Sequence, residues 1–382
     1  MKTDFNFSPD RSRTGSLKWQ KYQNRDILPM WVADMDFLSA PEIRDALHAR
    51  VDHGVFGYTV PYAEAENAFL EYLKREHGVQ AEADQLCWLP GLVQGLNLIC
   101  RAAGQPGDAV MVNTPVYPPF LSAPVFSGRK RIVSELLRME DGRYTFDREG
   151  MEAAVLPETK LFILCNPHNP VGRVFDREEL EWLLDFCERH DLWICSDEIH
   201  CDLILEEGLR HTPILSLGER AARRSIVFMS PSKTYNLPGL ACAVAVIPNP
   251  EIRAAFQKVC RGIITEVNCF GYAGLIAAYT RGEAWRQEML TVLRGNLSLL
   301  EQTLDQKLPR VRMPRMEATY LAWLDFRDYD LESPVAYFED RGLGLSNGQD
   351  FGAPRGFLRL NFGCSPARLQ QGLDLICDAL EV

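Results

Sequence analysis

The 382-residue chain has no long apolar run, no surplus of positive charge and no paired-cysteine motif. Its most apolar stretch, LACAVAVI at 240–247, is far shorter than the roughly 20 residues that span a bilayer. The opening residues, MKTDFNFSPDRSRTGS, lack the apolar core of a signal peptide. A net charge of −11 argues against nucleic acid as a main partner, because phosphate contacts need clustered Lys and Arg. It disfavours anionic lipid too, but not a small anionic ligand held by local N–H groups and one or two cations. The eleven cysteines are an odd number, scattered through apolar runs, and no CxxC occurs. Cys195 and Cys201 flank an acidic, histidine-bearing stretch, but their spacing fits no common zinc pattern, so no metal is expected. Reduced core thiols in a cytoplasmic protein are the expectation. Low-complexity tracts and internal repeats are absent from the sequence.

What is present is the material of about two globular domains, with 46% hydrophobic and 24% charged residues. Short apolar runs at 109–113, 160–165, 192–196, 225–229 and 241–247 alternate with helical patterns. The runs are apolar throughout rather than alternating, as in strands covered on both faces. The stretch Asp176-Arg177-Glu178-Glu179 reads as a capping box, followed by Leu180, Leu183, Leu184 and Cys187 at helical spacing. This βαβ rhythm predicts a mostly parallel sheet with helices on both faces. Toward the ends, Ser39-Ala40-Pro41-Glu42 reads as a second capping box opening an early helix. Strands are expected at 320–326 and 357–362, and a last helix from about residue 366. The expected division is a large α/β domain over 48–286 and a smaller α+β domain built from 1–47 plus 287–382.

Ligands of open α/β sheets bind beyond the carboxyl ends of the strands. There the sequence places Asp197, Lys233, Asn166, Asn169 and Tyr117, and Pro90-Gly91-Leu92-Val93-Gln94-Gly95 precedes a further helical pattern. Each has a plain structural alternative. Asp197 could be an N-cap, Tyr117 a core aromatic and NPHNPVG at 166–172 a pair of turns. Gly91 and Gly95 could serve close helix packing. Together they describe a site for a phosphorylated, aromatic, electrophilic ligand. The Leu92 and Val93 N–H groups at a helix start suit a phosphate, and the Ser230 and Ser232 hydroxyls can donate to it. Tyr117 can stack on a flat ring, Asp197 can pair with a protonated ring nitrogen, and Lys233 can form a Schiff base with an aldehyde. A phosphate, a pyridine nitrogen and an aldehyde together specify pyridoxal 5′-phosphate (PLP).

At these residues the chain resembles the fold-type-I PLP enzymes, and within them the MalY/PatB-type cystathionine β-lyase branch of the class I/II aminotransferase superfamily. The resemblance spans nearly the whole chain. Its marks are PMWVADMDF at 29–37, FGYT at 56–59, NPHNPVGR at 166–173, SDEIHCD at 196–202, SPSKTYNL at 230–237 and GFLRLNFG at 356–363. It implies a seven-stranded, mostly parallel sheet and a dimer with shared sites, Tyr58 reaching the neighbouring subunit's cofactor phosphate. It implies that Asn169 bonds the ring O3′ oxygen. His200 stands where many aminotransferases carry a tyrosine, and a structural histidine is its plain alternative. Arg359 should clamp the substrate α-carboxylate bidentately, within a pocket bounded by the Trp31 loop, Tyr117 and the Tyr320 segment. Two departures from typical aminotransferases favour the lyase branch. Ala241 replaces a phosphate-binding arginine, and Ala33 a substrate-loop glycine.

The reaction implied is β-elimination from cystathionine or another S-substituted cysteine, giving a thiol, pyruvate and ammonia. Lys233 is the expected base at Cα, aided by a pKa lowered through burial, and Lys233 or Tyr117 protonates the leaving sulfur. Transamination of amino acids shares the same early carbanion and is the alternative. A regulatory role through protein contacts is a minor one.

Overall fold

In the computed structural model, which describes residues 3–381, the five apolar runs form strands of one eight-stranded sheet. Its strands are β1 (Leu86–Leu89), β2 (Ala109–Thr114), β3 (Lys130–Arg138), β4 (Tyr144–Phe146), β5 (Thr159–Cys165), β6 (Trp193–Asp197), β7 (Ser225–Met229) and β8 (Ala243–Val246). Their spatial order is β1-β8-β7-β6-β5-β2-β3-β4. The pairs from β7 through β3 are parallel. β8 runs antiparallel to both its neighbours, and β4 is antiparallel to β3. Between β7 and β8 lies only a 3-10 turn, Pro238–Leu240. An antiparallel neighbour needs no helical crossover, so this connection fits the reversal. The eighth strand is the three-residue β4, a hairpin partner at the edge.

Alternate residues of the central strands feed two cores, one on each face. Val110, Val112, Ile163 and Phe228 pack with Leu96, Ile99 and Phe256. Met111, Phe162, Leu164 and Val227 pack on the other face with Leu180, Leu183 and Leu184. The Asp176 capping box forms as read, opening the helix Arg177–Arg189. The one expected at Ser39 does not. Helix Pro41–His53 starts after Ala40 with no side-chain cap, and the Ser39 hydroxyl instead donates to the Asn236 carbonyl at 3.3 Å. Proline at the first helical position removes one N–H that would need a cap.

A second, antiparallel sheet holds β9 (Leu321–Asp325), β10 (Ser346–Asn347) and β11 (Phe357–Asn361), in the order β9-β11-β10. The long helix Glu283–Lys307 packs against the last one, Pro366–Ala379. Early and late residues meet in a short parallel ladder, Leu28–Pro29 with Leu343–Gly344. Beside it lies a buried ion network. Asp36, 1% exposed, receives Lys18 at 2.9 Å, Arg11 at 2.8 Å and Arg368 at 3.0 Å, while Asp34 pairs with Arg11 at 2.6 Å. Burying these charges costs less because each is matched by several partners. The network fixes residues 11–18 against the loop carrying Trp31 and Ala33, and the Trp31 indole N–H donates to the Lys18 carbonyl at 3.0 Å.

Candidate active site

The carboxyl ends of β2, β5, β6 and β7 lie side by side, and each delivers a polar group to one edge of the sheet. Beyond that edge lies a cavity of about 370 Å³ lined by Leu92, Val93, Tyr117, Asn169, Asp197, His200, Ser232 and Lys233, among others. A second cavity of about 450 Å³ shares Ala33, Tyr117 and Lys233 with the first and adds Trp31, Ser346, Phe351 and Arg359. Residues from the middle and both ends of the sequence thus meet around one lysine.

Lys233 follows β7, and its ammonium donates to the Ala33 carbonyl at 2.6 Å. Burial, then the Arg359 charge, pushes its pKa down to about 8. Asp197 ends β6 and is 6% exposed, and one carboxylate oxygen accepts the Ile199 N–H at 3.1 Å. Burial pushes its carboxyl up to about 7, against the Ile199 N–H and the attraction of Lys233. Among the described residues no cation lies within ion-pair distance of it. A buried carboxylate of this kind requires a cationic partner to stay charged at neutral pH. His200 is held neutral, its pKa pushed down to about 3 by burial and by the charges of Lys233 and Arg359. Its Nδ1 is buried without a hydrogen-bond partner.

Helix Leu92–Ala102 points its amino end into the first cavity. Gly91, its N-cap, brings no capping side chain, so the first N–H groups are left for a ligand. Ser232 lines the same space. Lys233 is the one Lys or Arg among the described lining residues, and Ala241 occupies the wall in a left-handed conformation, φ +52°. A phosphate here would be met by N–H and hydroxyl groups. Ser230 is not among the residues lining this cavity. Its hydroxyl is buried and donates to the Cys242 carbonyl at 2.7 Å while accepting the Ser232 N–H at 3.1 Å. Its proton is committed to the backbone across the β7–β8 connection, so Ser230 holds Ser232 rather than lining the cavity.

Arg359, on β11, is 4% exposed. One terminal nitrogen donates to Asn169 Oδ1 at 3.0 Å, and the other to the Trp31 carbonyl at 2.9 Å and Ser346 Oγ at 3.4 Å. The Phe351 ring lies 4.7 Å from its guanidinium carbon. Burial lowers its pKa to about 10, leaving it a cation at neutral pH. Its Nε–H is buried with no acceptor, as expected of a clamp whose carboxylate comes with the substrate. Trp31 and Ala33 therefore act through their carbonyls. Tyr117 forms the wall between the cavities, and burial raises its phenol pKa.

Tyr58 is not in either cavity. It stands fully exposed, near the exposed Val55, Phe56 and Val60. Several site features carried no clear sequence signal. Asn236, at φ +57°, bonds the Met35 N–H and the Met35 and Phe37 carbonyls at 2.9 to 3.0 Å, tying the loop after Lys233 to the Ala33 loop. Phe351 comes from a 3-10 turn, Gly348–Phe351, for which no periodicity exists to read. Its positive-φ requirement marks Asn236 as a residue of special backbone, a weak sequence signal. A further group, His77, Cys201 and Asp202, places its ligand-type atoms within 4.8 Å of one another. The Tyr72 hydroxyl bonds Asp202 at 2.6 Å and lies 3.0 Å from His77 Nε2, and Arg286 pairs with Asp202 at 3.2 Å. These groups satisfy one another.

The residues fit PLP: a buried carboxylate short of a cation, uncapped N–H groups, an unpartnered imidazole nitrogen and a lysine amine of lowered pKa surround one space. Comparison with known proteins agrees. Cystathionine beta-lyase PatB of Bacillus subtilis (strain 168) is 39% identical, covering 99% of this chain and all of the relative. The crystal structure of OvoB matches with a TM-score of 0.95 at 42% identity, covering 99% of each chain. Cystalysin from Treponema denticola, which contains a pyridoxal 5′-phosphate cofactor, matches with a TM-score of 0.95 at 32% identity, covering 100% of this chain and 99% of that one. The family model for aminotransferase class I and II matches residues 25–376, and the chain belongs to that family.

Proposed function

We propose that this chain is a PLP-dependent carbon–sulfur β-lyase that cleaves L-cystathionine or related S-substituted cysteines, releasing a thiol, pyruvate and ammonia. The observation that carries the reading is the pair of adjoining cavities meeting at Lys233, one built for the cofactor and one ending in the Arg359 clamp. PLP, when bound, supplies an electron sink for negative charge developing at the substrate Cα. Arg359 offers its unpartnered Nε–H and a terminal nitrogen to the α-carboxylate and so orients the Cα–H bond. Lys233, with a pKa near 8, is suited to take the Cα proton near neutral pH. Asp197 would stabilise a positive charge on the ring nitrogen of the bound group, the partner its burial demands. His200 and Asn169 would hold the ring's oxygen, and Leu92, Val93 and Ser232, which line the same cavity, the phosphate. Lys233 or Tyr117, both on the shared wall, returns a proton to the departing sulfur.

The same reading makes the enzyme a cytoplasmic homodimer, with the large domain at 48–286 and the Tyr58 loop completing the neighbouring subunit's phosphate site. The exposed Val55, Phe56, Tyr58 and Val60 support a covered surface there. The deciding assay is pyruvate formation from L-cystathionine with no keto acid present. Steady pyruvate release is expected. Amino transfer to an added keto acid without pyruvate would make the protein an aminotransferase instead.

A further inference from the structure

The second cavity, about 450 Å³, is lined by Arg359 and by further charges of both signs. Lys21 and Asp350 line it together with Leu17 and Val335. Lys21 comes from the early segment and follows the helix Leu17–Gln20. Its ammonium sits 5.0 Å from the centre of the Trp31 ring and donates to Glu339 at 2.9 Å. An ammonium has three N–H donors, so capacity remains for a ligand carboxylate. The position is fixed from below, because Lys18, three residues earlier, is buried in the Asp36 network and accepts from Trp31 through its carbonyl. Asp350 belongs to the turn that puts Phe351 against Arg359. It is exposed, and no hydrogen bond or ion pair engages its carboxylate among the described residues.

Besides Arg359, the cavity thus offers a cation and an unengaged carboxylate, more than an α-amino acid head group with a short alkyl thioether would use. We infer that Lys21 and Asp350 form a second recognition point selecting cysteine S-conjugates whose distal end is itself a zwitterionic amino acid. Lys21 takes the distal carboxylate and Asp350 the distal ammonium, while Leu17 and Val335 cover the connecting methylenes. This rests on the lyase reading for the identity of the sulfur substrate, but the charge pattern is independent of the chemistry at Cβ. The two contacts are solvent-accessible ion pairs, each worth up to about 1 kcal/mol, or about fivefold in affinity.

The test compares L-cystathionine with S-ethyl-L-cysteine in Asp350→Asn and Lys21→Met. For the holoenzyme, kcat/KM for pyruvate release from cystathionine is expected to fall about fivefold in each variant. The loss should sit mainly in KM, and the ratio of cystathionine to S-ethylcysteine should fall with it. Calorimetric titration of PLP-loaded Lys233→Ala protein, with and without each substitution, gives the same comparison without turnover. There, cystathionine affinity is expected to weaken about fivefold while Asp350→Glu restores most of it. Equal losses for both compounds, or no loss for cystathionine, would overturn the inference. Absence of pyruvate with selective cystathionine weakening would instead sink the lyase reading and leave the recognition point standing.

Discussion

Asp197 shows what burial does to a single residue. In the cofactor-free protein, burial raises its carboxyl to about 7, while an unfolded chain titrates it near about 3.9. The folded state therefore binds the proton more tightly, and the stability this confers is fully present below about pH 4. It is lost as pH rises through 7, at up to about 1.4 kcal/mol per pH unit. His200 and His168, pushed down by burial to about 3 and about 4, work in the opposite sense over part of that window. Comparing the wild type with Asp197→Asn isolates the carboxylate, since the histidines are common to both. Thermal melts of the cofactor-free proteins should show the Asn variant gaining on the wild type from pH 5 to pH 7.5. With PLP bound, that gain should vanish or reverse, because a ring cation supplies the missing partner. A constant difference across pH in the cofactor-free proteins would count against a buried, unpaired Asp197. Asp197 and Lys233 stood out in the sequence because ligands of α/β sheets bind at strand ends and because charges beside apolar runs are conspicuous, whereas Arg359, on the antiparallel β11, was singled out by the resemblance alone. The Ser230 bond to the Cys242 carbonyl was not legible, because it is made across an antiparallel pair that no local pattern reveals.

At the scale of elements, the helix Leu92–Ala102 packs on the sheet and lines the first cavity with its amino end. The two glycines near that helix start have different roles. A Cβ on Gly95 would come within 2.9 Å of the Phe228 ring and 3.1 Å of Leu89, both in the core. On Gly91 it would meet mainly the Gln94 side chain, the flexible end of a polar residue. Gly95→Ala should therefore cost about 1–3 kcal/mol by overpacking and push the helix end away from the cavity. PLP should dissociate faster, as measured by the decay of its visible absorbance on dilution. Gly91→Ala should cost clearly less in stability. Equal effects at the two positions would show that the helix is not wedged on Phe228. The packing alternative read from the sequence thus holds for Gly95, and the ligand reading fits the uncapped N-terminus after Gly91. Strands buried on both faces were legible as apolar runs. β3 was not, since Lys130–Arg138 is largely exposed and mixes charge with apolar residues. β1 is short and pairs only with the antiparallel β8, so no βαβ rhythm pointed to it.

For the whole molecule, the proposed dimer bears on two features of the single chain. Lys233 is the one Lys or Arg among the described residues lining the first cavity, and the Tyr58 loop projects apolar and phenolic groups into solvent. A two-fold dimer in which each loop covers the other subunit's cavity would bring the two together, since an isologous interface repeats every contact. Sequence motifs implied this arrangement, but no single-chain geometry contains it, because the contact exists only between copies. Mixing two inactive proteins tests it. Lys233→Ala lacks the amine, and Tyr58→Ala lacks the crossing phenol, so each homodimer should have weak or no pyruvate release. After unfolding and refolding together at equal amounts, about half the dimers are mixed. In each mixed dimer, one site joins the intact Lys233 of one subunit with the intact Tyr58 of the other. About one quarter of all sites should then be wild type in composition, and activity should return toward that fraction. If Tyr58 served its own subunit's site, every site in the mixture would lack one of the two groups. Activity would then stay at the level of the separate variants, and the shared-site dimer would have to be abandoned.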